Sequence, residues 1–131
     1  MLRPLLAAAL LLVTAPAASA FSIGFDWSGL KSCTSGKPNK VPSPAFTLKD
    51  LPKGTQSVTF KLTDLDVRQF RHGGGTVNVS TSGTLPRGAF TYLSPCPPNG
   101  THRYEWSATA KSAPGGKGKT LGKTKAMRPY P

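Results

Sequence analysis

Acidic residues are scarce in this chain. Five Asp and Glu stand against 17 Lys and Arg, for a formal net charge of +12. Such a balance draws anions of any kind, from nucleic acid to phospholipid surfaces and acidic glycans. No DNA- or RNA-binding motif accompanies the charge, so no specific nucleic-acid partner is expected. Cysteine is nearly absent: only Cys33 and Cys96 occur, without CxxC spacing, which argues against a thiolate metal site. Beyond the first twenty residues there is no helical period of useful length and no apolar run that could span a bilayer. No internal repeat is visible. No nucleophile elbow is present, which argues against a serine or cysteine hydrolase. Gly73-Gly74-Gly75 lacks the strand–GxGxxG–helix context of a nucleotide fingerprint.

The start of the chain reads as a secretory signal peptide over residues 1–20. Arg3 supplies a short basic region, Leu5 to Val13 an apolar run, and Ala18-Ser19-Ala20 a small-residue cleavage signature. The mature chain is then a single domain from Phe21 to Pro131, roughly 111 residues, exported to the periplasm or outside the cell. Losing Arg3 takes one from the 17 bases, leaving 16 against five acids and a net of +11. In an oxidising compartment an isolated cysteine pair is most simply a disulfide. A Cys33–Cys96 bond would close a loop of about 64 residues, worth roughly 4 kcal/mol at most.

Short alternating segments fill the mature chain. Phe21, Ile23, Phe25 and Trp27 suggest a first strand, Ala45 to Leu48 a second. Lys31 to Pro44 reads as a loop holding Cys33. Val58, Phe60 and Leu62 alternate with Thr59, Lys61 and Thr63 in the clearest strand. Thr76 to Thr81 and Gly88 to Leu93 suggest two more, with Gly83 to Gly88 as a turn between them. Leu121 to Pro131, basic and without an acid, fits a last strand or a frayed tail. Strands joined by Gly/Pro turns point to an all-β, antiparallel sandwich with little helix.

The most distinctive stretch is Pro95 to Tyr104. Three prolines stiffen it, and Asn99-Gly100 lets the chain reverse. Beyond it His102, Tyr104, Trp106, Ala108 and Ala110 share one side of a strand, so an imidazole and a phenol emerge together at the rim of an apolar face. Asp64 lies two positions beyond Leu62 on the apolar side of its own strand, where a carboxylate must be solvated, paired or used. His72 and the triple glycine follow closely. The glycines permit close backbone approach to a ligand, or flexibility.

These segments resemble the phosphatidylethanolamine-binding protein family, in its bacterial Raf-kinase-inhibitor-like branch. Ser43-Pro44-Ala45-Phe46 is similar to the family's Ser-Pro-Ala-hydrophobic start, and Leu51 to Ser57 to its Pro-x-Gly-Thr-Lys-Ser turn. Asp64-Leu65-Asp66 stands where the family has Asp-Pro-Asp, and His72 where it has a His-Trp pair. Cys96-Pro97-Pro98-Asn99-Gly100-Thr101-His102-Arg103-Tyr104 resembles the long second signature, Cys-Pro-Pro-x-Gly-x-His-Arg-Tyr. The resemblance implies a β-sandwich with an anion pocket at one end, walled by Asp64, His72, His102 and Tyr104, with Pro97 from the stiff turn. There are departures: Leu65 for proline, Val67-Arg68 for Ala-Pro, and Gly73 for tryptophan. They imply a wider mouth, with positive charge added by Arg68 and Arg71.

The expected function is a non-enzymatic, exported binding protein for a small phosphorylated or carboxylated ligand, without cofactor or metal. A protein-interaction module of the protease- or kinase-inhibitor kind, with a vestigial pocket, is the alternative. Peripheral contact with anionic surfaces through the basic face is another.

Overall fold

The computed structural model describes residues 9–13 and 20–131. Most of the expected signal peptide, including Ala18-Ser19 of its cleavage signature, lies outside the described residues. Of the part described, Leu10 to Val13 are fully exposed. Among the described residues no helix is long and apolar enough to cross a membrane.

Among the described residues nine strands carry the fold: β1 (Ser22–Gly24), β2 (Lys40–Pro42), β3 (Phe46–Lys49), β4 (Ser57–Asp64), β5 (Gly74–Asn78), β6 (Gly83–Leu85), β7 (Thr91–Leu93), β8 (His102–Lys111) and β9 (Thr120–Tyr130). The only helical element among the described residues is a 3-10 turn at Pro114–Gly116. All pairings are antiparallel. A four-stranded sheet runs β5-β4-β8-β9, a three-stranded sheet β1-β3-β6, and β2 pairs with β7. The all-β sandwich is therefore observed.

Its core follows from the alternation. Val58, Phe60 and Leu62 of β4 and Tyr104, Trp106, Ala108 and Ala110 of β8 are buried on one face of the large sheet. Phe46 of β3 closes over them, stacked on Phe60 at 4.4 Å between ring centroids and edge-on to Trp106 at 5.3 Å. Tyr92 of β7 meets Trp106 at 4.9 Å. Each such ring removes enough apolar surface from water to stabilise the fold by roughly 1.5–3 kcal/mol.

Several boundaries differ from expectation. The first strand is confined to Ser22–Gly24 because only those residues pair with Thr47–Lys49. Gly83–Leu85 is not a turn: it hydrogen-bonds to Phe46–Leu48 as a third strand of that sheet. Lys40–Pro42, inside the expected loop, pairs with Thr91–Leu93, which in turn is all that is extended of the Gly88–Leu93 segment. The C-terminal ambiguity resolves as a strand. β9 lies along β8 from His102 opposite Tyr130 to Lys111 opposite Thr120, leaving Lys123 and Lys125 exposed.

The triple glycine has a packing role. A Cβ on Gly74 would lie 1.8 Å from the carbonyl oxygen of Phe60, and one on Gly75 would lie 2.5 Å from Phe90. Two of the three glycines thus serve close approach to the core, not to a ligand. Hence β5 begins at Gly74, earlier than the Thr76 expected from side-chain alternation.

Candidate functional site

The last inward-facing pair of the β4–β8 ladder is polar. Register places Val58 opposite Ala110, Phe60 opposite Ala108, Leu62 opposite Trp106, and finally Asp64 opposite Tyr104. Asp64 is 4 % exposed and needs partners. Its Oδ1 accepts the backbone N–H of Asp66 at 2.8 Å and of Val67 at 3.1 Å. Its Oδ2 accepts from His102 Nδ1 at 2.7 Å. One carboxylate therefore ends the strand, ties down the following turn and orients an imidazole whose other nitrogen stays available.

His72 reaches the same place from the other side. Its Nδ1 donates to the carbonyl of Leu93 at 2.7 Å. Since a carbonyl only accepts, the proton sits on Nδ1 and the neutral ring keeps a lone pair on Nε2. Burial pushes the His72 pKa below 6.5, against the opposing pull of the Leu93 carbonyl and the Asp64 charge. The ring meets Tyr104 edge-on at 5.5 Å and Phe70 at 4.6 Å. Burial, and then the neighbouring Asp64 charge, pushes the Tyr104 phenol well above its usual range, so it stays a protonated donor.

The stiff turn closes the site. The Cys33–Cys96 disulfide brings its Cα atoms to 4.6 Å, and Gly36 donates its N–H to the Cys96 carbonyl at 3.1 Å. Behind it the Tyr130 hydroxyl accepts the Cys33 N–H at 2.9 Å. The result is a cavity of about 280 Å³. All five residues expected at a ligand site, Asp64, His72, Pro97, His102 and Tyr104, line it.

The sequence reading missed Gly36 and Pro38, delivered by the Cys33 loop, and Val67 and Phe70, from the segment between Asp64 and His72. The first two were foreshadowed by the disulfide, which has to pin one loop against the other. Val67 stood only among the departures near the pocket mouth, and no signal in the sequence marked Phe70. Asp66, the second carboxylate of Asp64-Leu65-Asp66, turns outward, where hydrogen bonding to the Arg103 guanidinium at 2.9 Å holds it below the usual carboxylate range. Among the described residues, no group of three or more His, Cys, Asp or Glu side chains is arranged to hold a metal ion.

A family model described as phosphatidylethanolamine-binding protein matches residues 24–128. Among solved structures, a phosphatidylethanolamine-binding-protein homologue from Chlamydia trachomatis shares the fold with a TM-score of 0.56 at 18% identity. That match covers 86% of this chain and 97% of the other. No curated protein matches the sequence.

Proposed function

The chain belongs to the phosphatidylethanolamine-binding protein family, and from that premise we propose that it is an exported, non-enzymatic binder of a small phosphorylated or carboxylated ligand. Family membership supports a ligand-binding or regulatory role. The disulfide and the lack of a membrane-crossing helix among the described residues are compatible with export. The observation that carries the reading is the convergence of the Asp64–His102 pair, His72 and Tyr104 on one cavity of about 280 Å³, a volume suited to a headgroup-sized molecule.

The chemistry is complementary to an acid. In its imidazolium form His102, with Nδ1–H held by Asp64, would present Nε2–H to an anion, and Tyr104 adds a neutral donor. Neutral His72 is an acceptor at Nε2, matched to the remaining O–H of a monoprotonated phosphate ester. Val67, Phe70, Pro97 and Pro98 give the cavity apolar walls, in which such charge-assisted bonds are stronger than in water.

The test is calorimetric titration of phosphoethanolamine and of inorganic phosphate into the protein, beside His102→Ala. Binding by the native protein that disappears in the variant is the expected result. Equal, salt-sensitive binding in both would locate the affinity on the basic surface and overturn the proposal. Absence of binding in both would turn attention to a protein partner.

A further inference from the structure

Phe70 has a second side. Besides packing against His72 on the cavity wall, it lines a cleft of about 730 Å³ built from Lys61, Leu62 and Thr63 of β4 and from Arg68, Gln69 and Arg71 of the connecting segment. Lys61, Arg68 and Arg71 are exposed. Among the described residues no carboxylate lies within 4.0 Å of any of them, because the only ion pairs are His102–Asp64 and Arg103–Asp66. Asp64 and Asp66, the acids of the segment, are thus already occupied, and among the described residues none of the three cations around the cleft makes an ion pair, although Glu105 lies opposite Thr63 on the neighbouring strand.

The segment is also fixed in place. Its start is held by the Asp64 carboxylate and by the Leu65 N–H on the Arg103 carbonyl at 2.8 Å. Its middle is held by Phe70 N–H on Val67 at 3.1 Å, and its end by Leu62 N–H on Gly73 at 2.9 Å. Beside His72, a Cβ at Gly73 would meet nothing within 4 Å, so no side chain blocks that end. The aspartate that orients His102 therefore also sets the backbone that presents Arg68 and Arg71.

We propose that this cleft is a second anion subsite continuous with the cavity, and that the ligand is a linear molecule carrying two anionic groups. One phosphoryl or carboxyl group enters the cavity beside His102. The other, further along the same chain, lies among Lys61, Arg68 and Arg71, with Phe70 beneath the link. The inference rests on the cavity being an anion site. Joining two subsites through one ligand raises affinity by making the second contact intramolecular, often by 10²-fold or more. Surface guanidinium contacts of this kind weaken with salt, since the Debye length shortens from about 10 Å at 0.1 M to about 3 Å at 1 M.

Inorganic tripolyphosphate and inorganic phosphate serve as probes, titrated into the native protein, the Arg68→Gln/Arg71→Gln double variant and Lys123→Gln/Lys125→Gln on β9. The native protein is expected to bind tripolyphosphate at least about tenfold more tightly than phosphate. The arginine variant should lose that gain while keeping its phosphate affinity, and the β9 variant should keep both. Equal affinity for the two probes, or a gain that survives loss of both arginines, would overturn the second subsite. A gain removed equally by the β9 substitutions would overturn it too, showing diffuse charge. Failure of the native protein to bind phosphate would instead refute the cavity reading, so the two failures are told apart.

Discussion

The two ends of the β4–β8 ladder are built from the same pair of strands and held by different forces. At one end Val58, Phe60 and Leu62 meet Ala110, Ala108 and Trp106, and aromatic rings from β3 and β7 fill the space. This end is stabilised by removal of apolar surface from water, which needs no particular partner atom. At the other end Asp64 meets Tyr104, and polar groups are held by named atoms on distant segments: His102 by Asp64, His72 by the Leu93 carbonyl, Cys33 by Cys96 and Tyr130. The core end can therefore lose a group, relax in part and keep its architecture, whereas the pocket end loses geometry when any one tie is cut.

Phe60→Ala is the largest perturbation of the core end. It removes a ring that is 1 % exposed and stacked on both Phe46 and Phe90. The expected cost is about 3–5 kcal/mol in urea denaturation. Phosphate affinity, measured on the fraction that stays folded, should be nearly unchanged. A large loss of affinity in the folded fraction would show that the ends are not separable.

Next is Cys33→Ser/Cys96→Ser, which cuts a tie at the pocket end. Stability should fall by about 2–4 kcal/mol, no more than for Phe60→Ala. Ligand affinity should fall far more, because Gly36, Pro38, Cys96 and Pro97 all wall the cavity through that bond. If affinity survived reduction of the bond while stability dropped, the disulfide would be a staple for the fold alone.

The same contrast explains what could be read from the sequence. Alternation in Ser57–Asp64 and His102–Lys111 identified both central strands, because a buried face imposes a period of two on side-chain polarity. It failed where pairing is set by backbone alone. Gly83–Leu85 and Lys40–Pro42 are three-residue strands without a buried large side chain. Gly74 and Gly75 have no side chain to alternate at all. At the site, His102, Tyr104 and Asp64 were legible because each continues an apolar face into a polar residue. Phe70 was not, since its position depends on how the Asp64 carboxylate turns the chain at Asp66 and Val67. That turn looks like any other in the sequence.

The smallest expected effect is a pH dependence that only the pocket end should show. His72 is 3 % exposed, and burial lowers its pKa from 6.5. The unfolded chain therefore takes up a proton under conditions where the folded chain does not. Stability contributed by the neutral ring is fully present above about pH 6.5 and is lost as pH falls from there toward the lower folded value. The slope cannot exceed that of one proton, about 1.4 kcal/mol per pH unit. Asp64 on β4 and Tyr104 on β8 are the titratable groups facing the ring, and both are retained in His72→Asn. Asparagine can still donate to the Leu93 carbonyl, and it does not titrate. Thermal unfolding followed from pH 8 downward should fall more steeply for the native protein than for His72→Asn below about pH 6.5. Above that pH the two curves should run parallel. Parallel curves throughout would mean that the folded pocket accepts the proton as readily as water does, and that His72 is open to solvent and not sealed between Phe70 and Tyr104.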